Sequence, residues 1–150
     1  MEVSQKVLIK QPVETVWKVI TDFKNCTNFI SSIKKIEVLE EPKETLIGFK
    51  WKETREMFGK EATEIMWITE AVKNEYYQTR AESHGAIYIS KLVVQAKGDV
   101  TQLSMSFSSS AQTIMAKIIS SLMGFIIKGS MKKAMAKDLK DMKLHLESNV

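Results

Sequence analysis

Trp51, Glu53 and Arg55 alternate along a run with strand periodicity, so their side chains fall on one side of it. The earlier residues on that side, Ile47 and Phe49, are apolar, which makes a carboxylate and a guanidinium there an unexpected pair. The next strand begins just after Phe58-Gly59. A two-residue hairpin at that point sets Glu53 opposite Glu64 and Arg55 opposite Ala62, placing one guanidinium near two carboxylates. A longer loop or a bulge turns Thr63, Ile65 and Trp67 to that side instead, and the sequence leaves both registers open. Arg55 offers bidentate binding of a carboxylate, phosphate or enolate oxygen. Glu53, Glu64 or a tyrosine would exchange protons if a reaction were run. The plainer reading is an ion pair at the end of a hairpin.

Further candidates come from hydroxyls at strand spacing. Tyr77, Thr79, Tyr88 and Ser90 can face inward and orient a ligand in an apolar pocket, although a tyrosine with an apolar body and polar tip is also ordinary strand packing. Nine methionines would suit a plastic wall for varied apolar shapes, although such a stripe is more often simply core; Met105, Ile119 and Met123 join the candidate lining. The candidate ligand contacts are thus Trp51, Glu53, Arg55, Glu64 and Trp67, then Tyr77, Tyr88, Met105, Ile119 and Met123. No catalytic residue is assigned.

Other chemistries lack their residues. His84 and His145 are far apart, and neither belongs to an H-x-x-x-H or C-x-x-C pair, so no metal ligand set is expected. Cys26 has no recognisable activating base and reads as a structural cysteine. No GxGxxG or P-loop is present, so nucleotide binding through a glycine-rich phosphate loop is not expected, and no cofactor is assigned.

The elements that must position these residues follow from periodicity. The run VSQKVLIK reads as a first strand, and Pro12 opens a helix with Val13, Val16, Trp17 and Ile20 on one face. A short helix is expected over 27–32. Period-two strands then follow near 34–41, 45–56, 61–71, 74–83, 86–97 and 100–110. They are separated by turns at Glu41-Pro42-Lys43, Phe58-Gly59, Lys73-Asn74, His84-Gly85 and Gly98-Asp99, which makes an antiparallel meander. Residues 112–147 read as one helix of about 54 Å. Its apolar stripe changes phase: Ile114, Ile118, Ile119, Leu122, Phe125 and Ile126 centre on one direction, and Met131, Met135, Leu139, Met142 and Leu146 on another. One straight helix cannot press both onto a sheet, so a bend is expected across Gly124 and Gly129-Ser130.

The 150 residues suffice for one domain with a core and a cavity. A lone cysteine without a secretory leader points to a reducing compartment, with the cytoplasm as the default and Met1 as the start. The apolar stretch 114–127 contains Lys117 and is too short to span a bilayer. The net charge of +4 lies entirely in 112–150, where seven lysines face Asp138, Asp141 and Glu147. Such a basic helix can touch anionic membrane, RNA or an acidic partner, or be merely a solvated face.

The element order, the opening IKQPVETVWKVITDF, the segment GFKWKETREMFGKEATEIMWI and the final helix MKKAMAKDLKDMK together resemble the SRPBCC or START-like superfamily. Pollen allergens, lipid-transfer START domains and polyketide cyclase/dehydrases share its helix-grip fold. The resemblance covers essentially all of residues 1–150. It implies an α+β domain in which a curved antiparallel sheet wraps around a long C-terminal helix, with two short helices after the first strand and a cavity for a hydrophobic ligand between sheet and helix. It implies no reaction, because the superfamily shares no catalytic signature.

Three functions follow as expectations. The first is non-enzymatic binding or carriage of a hydrophobic small molecule or lipid. The second is a cyclase/dehydrase-like enzyme on a ketone-type substrate, which needs a buried carboxylate pointing away from Arg55. The third is an interaction module using the basic, methionine-rich part 131–146. Oligomeric state is left open.

Overall fold

The computed structural model describes residues 1–57 and 59–148, and for Phe125 the backbone alone. Phe58 and the side chain of Phe125 therefore lie outside the described residues. The chain runs β1 (Glu2–Ile9), α1 (Val13–Ile20), a 3-10 helix (Phe23–Asn28), β2 (Ile33–Glu40), β3 (Lys50–Met57) and β4 (Lys60–Val72). It continues through β5 (Tyr76–Ser83), β6 (Ala86–Lys97) and β7 (Val100–Ala111) to α2 (Ile114–Ser148). The seven strands form one antiparallel sheet in the order β1-β7-β6-β5-β4-β3-β2, a meander closed by the return of β1 beside β7. This is the helix-grip arrangement. The ladder shifts between Ile68 and Glu70, and again within β2, where an extra residue bends a strand and lets the sheet curl.

Two elements depart from the periodicity. β3 starts at Lys50 rather than near 45, because Gly48 takes φ +92 and breaks the alternation. Ile47, expected inside with Phe49, is left exposed. The second helix occupies 23–28 rather than 27–32: Asp22 accepts from the backbone and side chain of Asn25, which favours a three-residue turn, and Phe23 and Cys26 stack on the buried side at i, i+3.

The bend in α2 falls at the first of the expected positions. The axes of Ile114–Gly124 and Ile126–Ser148 meet at 76°. Beyond the bend Met131, Met135, Leu139, Met142 and Leu146 are all buried on the sheet. The methionine stripe is therefore core, which removes it as an apolar docking surface. Before the bend, Ile114, Ile118, Ile119 and Leu122 are exposed, as is Ile126 directly after it. No single helix among the described residues is long and apolar enough to cross a membrane.

The main core packs β1, β3, β4, β5, β6 and β7 onto α1, the 3-10 helix and the end of α2, with Ile9, Val16 and Leu103 fully buried. A smaller cluster of Val3, Met131 and Met135 lies farther along the concave face, with Met57, Phe107 and Ile127 against it. Met105 touches both clusters.

Candidate functional site

β3 carries Trp51, Glu53 and Arg55 to the concave face, as their alternation requires. There they form one network. Trp51 Nε1 donates to Glu53 Oε1 at 3.3 Å, and Arg55 Nε donates to Glu53 Oε2 at 3.0 Å. Arg55 Nη1 donates to Asp138 Oδ2 at 2.8 Å, and Ser32 Oγ donates to Asp138 Oδ1 at 2.8 Å. Glu53 and Asp138 are only 6% and 5% exposed. Burial alone would lower the affinity of the Arg55 guanidinium for its proton, but Glu53 and Asp138 overcome it and push the value above the ordinary one. Both carboxylates of the network spend both oxygens on donors, and the guanidinium is divided between them. Neither carboxylate keeps an oxygen free of a donor with which to act as a general base. It works instead as a clamp tying β3 to α2 and to the start of β2.

Asp138 and Ser32 are the members that sequence reasoning missed. A signal existed for the first: Asp138 falls in phase with Met131, Met135 and Met142, an acid on the apolar stripe of an otherwise lysine-rich helix. Ser32 precedes β2 and carries no pattern of its own.

Pairing of Met57 with Lys60 closes the β3–β4 hairpin around Gly59 and fixes the shorter register, with Glu53 opposite Glu64 and Arg55 opposite Ala62. Glu64 thus shares the concave face and, among the described residues, has no ion pair. Trp67 is corrected by the same register. It pairs with Lys50 on the convex face, where the Lys50 ammonium sits 5.8 Å from its ring centroid.

Tyr77 is buried in an aromatic cluster, edge-on to Phe23 at 5.3 Å and to Trp17 at 6.2 Å, and its Oη donates to the Ile20 carbonyl at 3.4 Å. Burial pushes its hydroxyl far above the ordinary range. Tyr77 is a core residue. Tyr88 stacks on Phe107 at 5.8 Å and is half-buried; burial and the nearby Glu64 carboxylate raise its hydroxyl. Met105 lies between the two clusters of the concave face. Ile119 and Met123 stand apart from all of these, about half exposed on the projecting part of α2, because the bend carries them away from the sheet.

Burial pushes the Cys26 thiol up to about 12, which disqualifies it as a nucleophile near neutrality. His84 occupies the β5–β6 turn and His145 stacks on Phe29 at 4.5 Å.

The concave face therefore has two unlike ends. Around Ile68, Tyr77, Leu92 and Leu103 it is sealed by core. Toward the β5–β6 turn, Glu64, Tyr88 and Ser90 face inward, half-buried, and belong to neither apolar cluster. A cleft of about 640 Å³ opens elsewhere, between the end of α1, the 41–49 loop and the β4–β5 turn. Its rim is charged, with Lys24 and Glu41 ion-paired at 2.6 Å, and its floor is the already packed Trp17, Phe23 and Phe49. The concave face is the stronger candidate, because there half-buried apolar rings meet a carboxylate outside any ion pair among the described residues.

The fold is shared with solved structures of low identity. The chain is similar to a START superfamily protein from Mycobacterium smegmatis, with a TM-score of 0.83 and 15% identity over 99% of each chain. A Thermus thermophilus protein matches with a TM-score of 0.82, 15% identity and 99% coverage of each chain. The Zhui aromatase/cyclase of a Streptomyces species follows at 0.74 and 13%, covering 98% of this chain and 93% of that one. No curated protein matches the sequence. The model of one family, polyketide cyclase / dehydrase and lipid transport, matches residues 1–147, and the chain belongs to that family.

Proposed function

We propose that this protein binds a hydrophobic small molecule or lipid at the open end of its concave face, between β4–β6 and α2. The observation that carries this reading is the half-buried set Met66, Tyr88, Met105 and Phe107, bordered by the polar Ser90 and Glu64. Apolar surface there can be buried by a ligand at about 25 cal/mol per Å², several kcal/mol for a few hundred Å² before binding entropy is subtracted. Family membership supports the same ligand class. A cyclase-like reaction would have to take its base from Glu64, because Glu53 is held by Arg55 and Trp51. The whole chain acts as one binding domain. The lone Cys26, buried and without a disulfide partner, fits a reducing compartment such as the cytoplasm.

The test is native mass spectrometry of the purified chain, followed by organic extraction of whatever it carries. A stoichiometric lipid, fatty acid, quinone or polyketide supports the reading. An empty chain that also ignores a panel of hydrophobic probes overturns it.

A further inference from the structure

The first half of α2 leaves the molecule as an arm. Of residues 114–123 only Ala116 is less than exposed, and the apolar members are bare: Ile114 80%, Leu122 78%, Ile118 50%. Area scaling for a chain of this mass predicts about 7,800 Å² of surface. The molecule shows 9087 Å². At 100° per residue, Ile114, Met115, Ile118, Ile119, Leu122 and Met123 sweep one half of the helix, while Ala116, Lys117, Ser120, Ser121 and Gly124 take the other. The wide apolar half has no counterpart among the described residues.

Charge says what covers it. From residue 100 to residue 137 the chain contains five lysines and not one Asp or Glu. Just past the bend, Lys128 and Lys132 line a small cleft of about 380 Å³ with Glu2, Val3 and Ser4 on the β1 edge. An apolar helical face with cations beside it, too short to span a bilayer, is the pattern of a helix lying in the plane of an anionic membrane surface. We propose that residues 114–124 of α2 dock this protein on an anionic lipid bilayer, the apolar half entering the acyl boundary and Lys128 and Lys132 meeting the lipid phosphates. The 76° bend is what makes this geometry available, because it frees the arm while the rest of α2 stays in the core.

The proposal does not depend on the concave-face ligand. Its test uses the full chain and co-sedimentation with vesicles of phosphatidylcholine containing phosphatidylserine, against phosphatidylcholine alone. We expect retention on the anionic vesicles that weakens as salt rises. Ile118→Asp with Leu122→Asp, two exposed positions that leave the core untouched, should lower partitioning at least about tenfold. Lys128→Gln with Lys132→Gln should lower it about 30-fold on the anionic vesicles and hardly at all on the neutral ones. Absence of retention by the unmodified chain overturns the proposal, as does equal retention of the Asp variant. Sedimentation of the free chain as a dimer that Leu122→Asp dissociates also overturns it, by assigning the arm to self-association.

Discussion

Arg55 on β3 and Asp138 on α2, 83 positions apart in the chain, meet at 2.8 Å through Nη1 and Oδ2. The same guanidinium holds Glu53, so one cation satisfies two carboxylates that are almost entirely shielded from water. Removing it leaves both anions buried and unmatched. Arg55→Met should therefore destabilise the fold by about 3–5 kcal/mol, measured by denaturant unfolding. Replacing Glu53, Arg55 and Asp138 together by apolar residues of similar volume should recover most of that loss, since the desolvation of all three charges then disappears. A loss under about 1 kcal/mol for Arg55→Met would mean that water reaches the pair and the clamp is idle.

Gly85 fixes where the arm of α2 begins. It sits at φ +75, and a Cβ built there would meet Thr113 Oγ1 at 2.6 Å. That oxygen accepts from the Ala116 amide at 3.1 Å and caps the first turn, while the Gly85 carbonyl accepts from the Gln112 amide at 2.7 Å. Gly85→Ala should cost about 1–3 kcal/mol, of which only the backbone strain is shared by Gly59→Ala, where the added carbon meets open space. Thermal unfolding of the two variants separates strain from clash.

Cys26 makes a pH-dependent contribution whose sign is fixed by its burial. The folded state holds the thiol up to about 12 against an ordinary value of 9.0, chiefly by desolvation, with Glu53 adding to the rise. Well below pH 9 the group is neutral in both states, and its contribution to stability is present in full. As pH climbs from 9 toward 12 the unfolded chain ionises first, so that contribution is lost. Unfolding midpoints should fall over this interval, and less steeply in Cys26→Ser. At about pH 8.5, close to the free-thiol value, iodoacetamide should leave the folded protein almost untouched while alkylating the urea-unfolded chain rapidly.

The parts of this molecule that repeat were legible in its sequence, and the parts that depend on one residue meeting another far away were not. Strand alternation predicted the concave placement of Trp51, Glu53 and Arg55, and turn chemistry at His84-Gly85 predicted a hairpin; the structure gives both turn residues positive φ. The phase change in α2 foretold a bend, because stripe direction is a local property. The partner of Arg55 was hidden, since nothing near Asp138 announces a strand 83 residues earlier. Ile47 was misplaced for a local reason: alternation assumes extended backbone, and Gly48 at φ +92 is not extended.

Tyr88 and Trp67 separate the concave-face reading from a ligand held anywhere else. Tyr88 lies inside the curl of the sheet, stacked on Phe107 at 5.8 Å, whereas Trp67 lies on the outer face beneath the Lys50 ammonium. Both are large and aromatic, so truncation of either removes similar apolar area. A ligand in the proposed place loses contact with only one of them. Tyr88→Ala should weaken binding of a hydrophobic fluorescent probe by about 10- to 100-fold, the loss of about 1.5–3 kcal/mol of ring burial. Trp67→Ala should leave the affinity within about twofold, because its ring touches neither probe nor core cluster. Equal losses in the two variants would move the ligand off the concave face, whatever class of molecule it proves to be.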